Sequence, residues 1–364
     1  MKTSRMALAA ALGSAMGAAC LPVSAMANDD VTVSFAVPIE VQYDNTYSAT
    51  DPDAEGSDLY TTIEPELVIG LPHGFSVEAG VTFEPLRDRD PREHRAFKSH
   101  GAYVNTLQLV WESDPVTLNA GKFTPSFAFD EAPGMFGDTF MGEYELVERV
   151  GFGGAVALPI EGVADIAVTA SLFTRDRSVL GEAAFTSRER LEFSDGTVGN
   201  TEGLENGAVA VDISPAAIPG LLVRGSYLHQ GKGEGDTADQ DAWGLGATYE
   251  IEVAEGVVVS PLVDWVHSSD TIGFTDGVST PGARSDTVTA GVQVAVGPYF
   301  GTLTHGMRSI KDPAAPTQRD RFTQVSAGYA FDFGLGLEAG WVRVKEANET
   351  SSTVGVLATY GLEF

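Results

Sequence analysis

"VTVSFAVPIEVQY", residues 31–43, decides the fold class. Val31, Val33, Phe35, Val37, Ile39, Val41 and Tyr43 alternate with Thr32, Ser34, Ala36, Pro38, Glu40 and Gln42. A period of two sends these sets to opposite faces of one strand, one apolar and one largely polar. The chain ends in the same way, with Val354, Val356, Ala358, Tyr360, Leu362 and Phe364 on one face. Phe75 to Glu84 and Thr287 to Val294 repeat the pattern. No stretch shows an amphipathic helical period of useful length.

Working outward, the alternation predicts strands at 31–43, 58–71, 75–86, 101–112, 115–125, 147–158, 163–174 and 203–213. It continues at 220–230, 240–253, 257–268, 286–296, 298–309, 320–332, 335–346 and 352–363. About sixteen strands is an even number within the range of outer-membrane barrels. The connections alternate as well. Brief turns such as Leu71–Gly74, Ser113–Pro115 and Val296–Pro298 exchange with long polar stretches such as Asp44–Glu55, Arg87–His100 and Asp176–Asn200. An all-β, transmembrane, antiparallel up-and-down β-barrel with short periplasmic turns and long external loops predicts this rhythm. A soluble β-sandwich gives no reason for it. Trp111, Trp243, Trp265, Trp341, Tyr299, Tyr329 and Tyr360 fall mostly near segment ends, where interfacial girdles form.

Targeting agrees with a barrel. Lys2 and Arg5 precede an apolar run from Met6 to Leu21, and Ala25-Met26-Ala27 forms a small-x-small cleavage site. Residues 1–27 therefore read as a signal peptide, leaving 28–364 as one barrel domain. A membrane anchor is the competing reading, but the run is short and broken by Gly, Ser and Pro. The only cysteine, Cys20, lies in this leader, so a mature chain holds no disulfide and no thiolate metal site. Gly17 stands where a lipoprotein signal prefers a large aliphatic residue. Removing Lys2 and Arg5 from 22 basic residues leaves 20 against 51 acidic ones, a mature charge of −31. That surface repels nucleic acid. Past the leader no apolar run reaches the ~18 residues of a spanning helix, and only helices and closed barrels satisfy their backbone in lipid.

One connection stands apart: "GKFTPSFAFDEAPGMFGDTFMGEYELVERVGFGG", residues 121–154, is aromatic, acidic and glycine-rich without a helical period. Long connections of this kind are usually functional. Counted from a periplasmic N-terminus it is the third external loop. The chain here resembles the general porins of Gram-negative outer membranes, whose third loop folds inward and whose chains end in phenylalanine, as here with Phe364. Residues 121–155 are also similar to the LbtU-type siderophore porin family, which implies uptake of a ferric siderophore through a barrel. The porin resemblance implies an outer-membrane location and raises a homotrimer as one assembly, beside a monomer.

If residues 124–146 fold inward, Asp130, Glu131, Asp138, Glu143 and Glu145 place negative charge at a narrowing. Such charge raises cation occupancy and opposes anions. Strand parity adds Glu64, Glu66, Glu78 and Glu84 to the lumen wall, and Lys122, Arg149 and Arg224 are the candidate basic side of a transverse field. The competing reading is that the loop acids solvate an external surface. Gly134 and Gly137 suit tight bends, and Phe127, Phe129, Met135 and Phe136 suit pinning the loop to the wall. Asp51, Asp53 and Glu55 imitate a calcium loop, but Thr62 stands where its closing Glu belongs, so no metal or other cofactor is expected. Arg87, Arg89, Arg92, Arg95 and Lys98 have two readings, contact with lipopolysaccharide phosphates or a neighbouring subunit, and compensation by Asp88, Asp90 and Glu93.

Catalysis is not expected. His267 and Ser268 adjoin but point to opposite faces of a strand, and neither a G-x-S-x-G elbow nor an H-E-x-x-H pair occurs. The function expected is passive or facilitated diffusion of small hydrophilic solutes, with cations preferred. The alternatives are a ferric-siderophore porin and, from another class, a non-conducting structural or adhesive barrel. The first strand starts so near the cleavage site that no plug domain is expected before it, and the polar, glycine-rich inner face suits water better than a packed plug.

Overall fold

The computed structural model describes residues 31–274 and 277–364, so the leader expected at 1–27 lies outside the described residues. Sixteen barrel strands follow in chain order, β1 (Thr32–Ala49), β2 in two parts (Gly56–Ile63 and Glu66–Gly70), β3 (Phe75–Pro85) and β4 (His100–Ser113). Next come β5 (Val116–Phe123), β6 (Arg149–Ile160), β7 (Ala164–Arg175), β8 (Asn206–Pro215) and β9 (Leu221–Gln230). Then follow β10 in two parts (Gln240–Tyr249 and Ile251–Ala254), β11 (Val257–Ile272), β12 (Val278–Val296) and β13 (Tyr299–Lys311). The last are β14 (Gln318–Ala330), β15 (Leu335–Glu346) and β16 (Glu349–Glu363). Each pairs antiparallel with its chain neighbour, and β1 closes the sheet on β16 from Ala36↔Glu363 to Ala49↔Ser351. Phe364 donates its N–H to Phe35 O at 2.9 Å, and the two rings stack 6.1 Å apart, sealing the seam.

Every predicted segment falls on one of these strands. The interruption in β2 sits at Glu64–Pro65, because proline has no N–H to give the ladder. Three strands run well past their prediction: β1 continues to Ala49, β11 continues to Ile272, and β12 starts at Val278 rather than 286, so most of the loop expected at Asp270–Ser285 is ladder. In those ends the apolar–polar alternation fades while the backbone bonds continue. Faces elsewhere behave as alternation requires: Val33, Leu109, Trp243, Leu245 and Met307 are exposed outward, whereas Thr287, Thr289, Thr304 and Gln324 are buried inward.

At the long-loop end the connections fold over one another. A short strand, His94–Ala96, lies parallel to the upper part of β2. Its basic neighbours serve this docking. Arg89 donates to Ala54 O and Glu55 O at 2.6 and 2.8 Å, Arg92 pairs with Asp53 at 3.1 Å, Arg95 with Asp58 at 2.5 Å and Lys98 with Glu93 at 2.5 Å. These four side chains are thus compensated within the chain. The calcium-like loop is held in the same way: Arg92 and Arg89 take its carbonyls, Asp51 accepts from Asp53 N at 2.9 Å, and Glu55 accepts from Ala49 N at 3.4 Å. Asp51, Asp53 and Glu55 thus take partners from within the chain.

Candidate functional site

Residues 124–148, between β5 and β6, cross the interior. Phe127 stacks on Phe274 at 5.5 Å, and Phe129 lies against Gly246 of β10. Pro133 reaches β13 and β14, where its carbonyl accepts from Thr304 Oγ1 at 2.7 Å and Gln324 Nε2 at 2.8 Å. Phe136 N donates to Gln324 Oε1 and Met135 N to Glu338 Oε1, both at 3.0 Å. Met135 ends against Gly340 of β15 and Gly355 of β16. The loop therefore runs along the inner wall from β10 to β16.

The sequence allows this close approach at particular positions. A Cβ on Gly340 would sit 2.8 Å from Met135 Sδ, and one on Gly134, whose φ is +110°, would sit 2.5 Å from Thr302 Oγ1. Apolar side chains then anchor the loop. Phe127, Met141, Tyr144 and Leu146 join a buried cluster with Phe173, Leu228 and Val266, and Phe136 and Phe140 join Phe322 and Val342. Burying such a side chain contributes about 1.5–3 kcal/mol, so six or more of them hold the loop firmly.

With the loop against β10–β16, open space is left toward the β1–β4 side. A cavity of about 400 Å³ along the loop's free edge is lined by Asp130, Glu131, Asp138, Thr139, Gly142, Glu143 and Glu145. Across from it stand the wall carboxylates. Thr82 donates to Glu64 at 3.2 Å, Tyr103 to Glu84 at 2.5 Å and Gln108 to Glu78 at 2.8 Å, while Glu66 pairs in register with Gly80. Asp44, receiving Tyr60 OH at 3.1 Å, and Glu40 belong to the same wall.

The loop acids feel both the wall and one another. Burial within the barrel, then Asp138 and Asp130, pushes Glu131 up to about 8. Burial, then Asp130, Glu64 and Glu84, pushes Glu145 up to about 7. Asp130 and Asp138 are raised too, again by burial. Asp138 and Glu145 still expose surface to the channel, so the burial at work is the encircling wall rather than complete loss of water contact.

Of the expected basic side, Arg224 stands beside the loop, where its charge acts on Asp130. Lys122 is buried and donates to Asp176 at 2.6 Å and Glu148 at 2.9 Å, beneath the connection that follows β7. Arg149 is also buried and donates to Val147 O at 2.9 Å. Lys122 is thus bound by acids outside the free edge of the loop. Arg224 does approach, 5.1 Å over the Phe129 ring, but Asp212 holds it with two bonds of 2.7 and 2.8 Å. Glu143 differs from its acidic neighbours because Arg308 binds it; the same guanidinium holds Asp320 at 3.1 Å and pairs with Glu346. Sequence reasoning missed Arg308. Its inward parity on β13 is readable, but its partner on a distant loop is not. His267 and Ser268 part as strand geometry requires, with His267 Nδ1 2.9 Å from Asp286 and Ser268 buried.

The model of one family, Gram-negative porin, matches residues 7–363. A search of curated proteins returns no match. Among solved structures, the chain is similar to the outer-membrane channel DcaP of Acinetobacter baumannii, with a TM-score of 0.60 at 12% identity over 92% of this chain and 97% of that one. It is similar to OmpT of Vibrio cholerae in its trimer form, with a TM-score of 0.57 at 10% identity over 92% and 100%. It is also similar to OpdK of Pseudomonas aeruginosa with vanillate, with a TM-score of 0.56 at 9% identity over 91% and 99%. At such identities the structures speak to the fold, and the family match speaks to kinship. The chain belongs to the Gram-negative porin family and is an outer-membrane β-barrel porin.

Proposed function

We propose that the protein lets small hydrophilic solutes diffuse passively across the outer membrane and prefers cations. The observation that carries this reading is acid on both sides of the free space: Asp130, Glu131, Asp138 and Glu145 on the loop, and Glu64, Glu66, Glu78 and Glu84 on the wall. In a confined channel of reduced dielectric, fixed negative charge concentrates cations and repels anions. Because Lys122 is bound by Asp176 and Glu148 and Arg224 is held by Asp212, the acids outweigh the bases beside the free space, which supports a net negative field. The test is single-channel recording of refolded protein in a planar bilayer under a salt gradient. Discrete open steps with a cation-selective reversal potential are expected; a folded barrel that never conducts would favour a structural or adhesive role.

The finer reading, a ferric siderophore as solute, rests on the resemblance of residues 121–155. A ferric siderophore with net negative charge would meet the same acids, so the geometry supports only neutral or cationic chelates. Radiolabelled iron uptake into vesicles carrying the porin separates the two. A homotrimer is the assembly proposed alongside, since OmpT was obtained in a trimer form. The mass of the detergent-solubilised particle tests it.

A further inference from the structure

The outer surface of the barrel carries a second pattern of charge that the channel does not use. Arg284 on β12, Lys311 on β13, Arg319 and Arg321 on β14, and Arg343 and Lys345 on β15 all lie near the long-loop ends of four adjacent strands. Their neighbours in sequence fix which way they point. Arg308, Asp320, Phe322 and Val342 face inward, toward the loop and its ion pairs. The six cations therefore face outward, five of them exposed and Lys345 half-buried.

These cations are placed against one another. Arg284 stands directly opposite Lys311 in the ladder, and Arg321 directly opposite Lys345. Arg343 lies diagonal to Arg321. Like charges facing across two strands are destabilising on their own. Among the described residues, no side chain of the six makes a hydrogen bond, ion pair or ring contact. The chain has 51 acidic residues to offer, and it does supply partners to Arg92, Arg95 and Lys98 in the external loops. Asp286, the acid two residues along β12 from Arg284, is taken by His267.

Immediately below, on the same outward face of the same strands, are Val288, Met307, Val325 and Trp341. The tier thus lies where an apolar, acyl-facing band gives way to the polar boundary of the leaflet. We propose that it binds the phosphates of a phosphorylated glycolipid of the outer leaflet. One occupant then explains both halves of the surface: acyl chains cover the apolar band, and phosphates bridge cations that otherwise repel. Arginine suits the task because its fork binds phosphate oxygens in pairs. The lipid contact considered for Arg89, Arg92, Arg95 and Lys98 belongs on this tier instead.

The test compares the full-length refolded porin with an R319Q/R321Q/R343Q/K345Q variant by native mass spectrometry, titrating bis-phosphorylated lipid A and the same lipid without phosphates. The wild type should prefer the phosphorylated lipid, and the variant should bind it at least about tenfold more weakly, since each cation near a head group contributes appreciably. An R319K/R321K/R343K variant, which keeps the charge but loses the paired fork, should bind more weakly than the wild type and more tightly than the glutamine variant. Conductance should not change, because none of the six faces the lumen. If the glutamine variant does not show the heat-modifiable mobility of a folded barrel, R343Q/K345Q on one strand serves in its place. Equal lipid binding by wild type and variant would overturn the proposal, as would equal binding of lipid with and without phosphate. Binding of inorganic phosphate alone to the wild type as tightly as the phosphorylated lipid would make free phosphate the ligand and overturn it too. Loss of oligomerisation with lipid binding intact would assign the tier to a second copy of the chain instead.

Discussion

Neutralising the free edge of the loop should weaken cation preference by an amount that can be worked out. The variant is Asp130→Asn, Glu131→Gln, Asp138→Asn and Glu145→Gln, which leaves Glu143 bound to Arg308 and the apolar anchors untouched. At neutral pH Glu131, pushed up to about 8, is mostly protonated, and Glu145, at about 7, is about half ionised, so with Asp130 and Asp138 counted as charged roughly two to three charges at most are removed. One unit charge about 7 Å from a passing ion in a water-like dielectric is worth about 0.6 kcal/mol, halved by screening near 0.1 M salt. The removed charge then amounts to about 0.7 kcal/mol in favour of a cation and as much against an anion, so the potassium-to-chloride permeability ratio should fall about tenfold. Reversal potential across a salt gradient measures this directly, with single-channel conductance confirming an open barrel. A ratio unchanged within about twofold, from a folded and conducting variant, would refute the placement of these acids beside the ion path.

Three further outcomes follow from the same geometry. Cation preference of the wild type should fall as pH drops from about 8.5 to 6, because Glu131 and then Glu145 take up protons as pH passes below about 8 and about 7; a flat selectivity profile over that window would contradict the raised values. Arg308→Met leaves the buried Asp320 without its cation and cuts the tie to Glu143, so the heat-modifiable barrel should lose about 3–5 kcal/mol of stability, measured by denaturant unfolding in detergent. Gly340→Val places a branched side chain where Met135 now lies, so the loop should lift from β15 and single-channel conductance should rise; conductance equal to wild type would show that the loop does not set the width.

Much of the barrel is legible in the sequence because lipid on one side and water on the other impose a period of two on every strand that crosses. The same physics explains where the reading stops. Residues 44–49 and 278–285 continue β1 and β12 through the backbone ladder, which needs no alternation of side chains. Glu64, Glu66, Glu78 and Glu84 follow parity onto the inner wall, since a one-residue phase sends a side chain either to lipid or to the lumen. Lys122 and Arg149 were unreadable for another reason. They sit at strand ends beneath folded connections, where the partner comes from residues such as Asp176, 54 positions away from Lys122. The loop acids could be listed from sequence, but their position depends on tertiary contacts of Pro133, Met135 and Phe136 with β13–β15. Arg308 shows the same limit, because its meaning lies in Glu143, 165 positions distant.

The central claim is that ions pass along the acidic edge of residues 124–148 and not through the apolar contact behind it. With Cys20, the one cysteine of the sequence, replaced by serine, Glu131→Cys and Phe136→Cys can each be made as the sole thiol of the chain. The measurement is current through single channels during exposure to a cationic and then an anionic thiosulfonate reagent. The account predicts stepwise loss of current at Glu131→Cys, faster with the cationic reagent, and no change at the buried Phe136→Cys. Unaltered current at Glu131→Cys after complete labelling would contradict it.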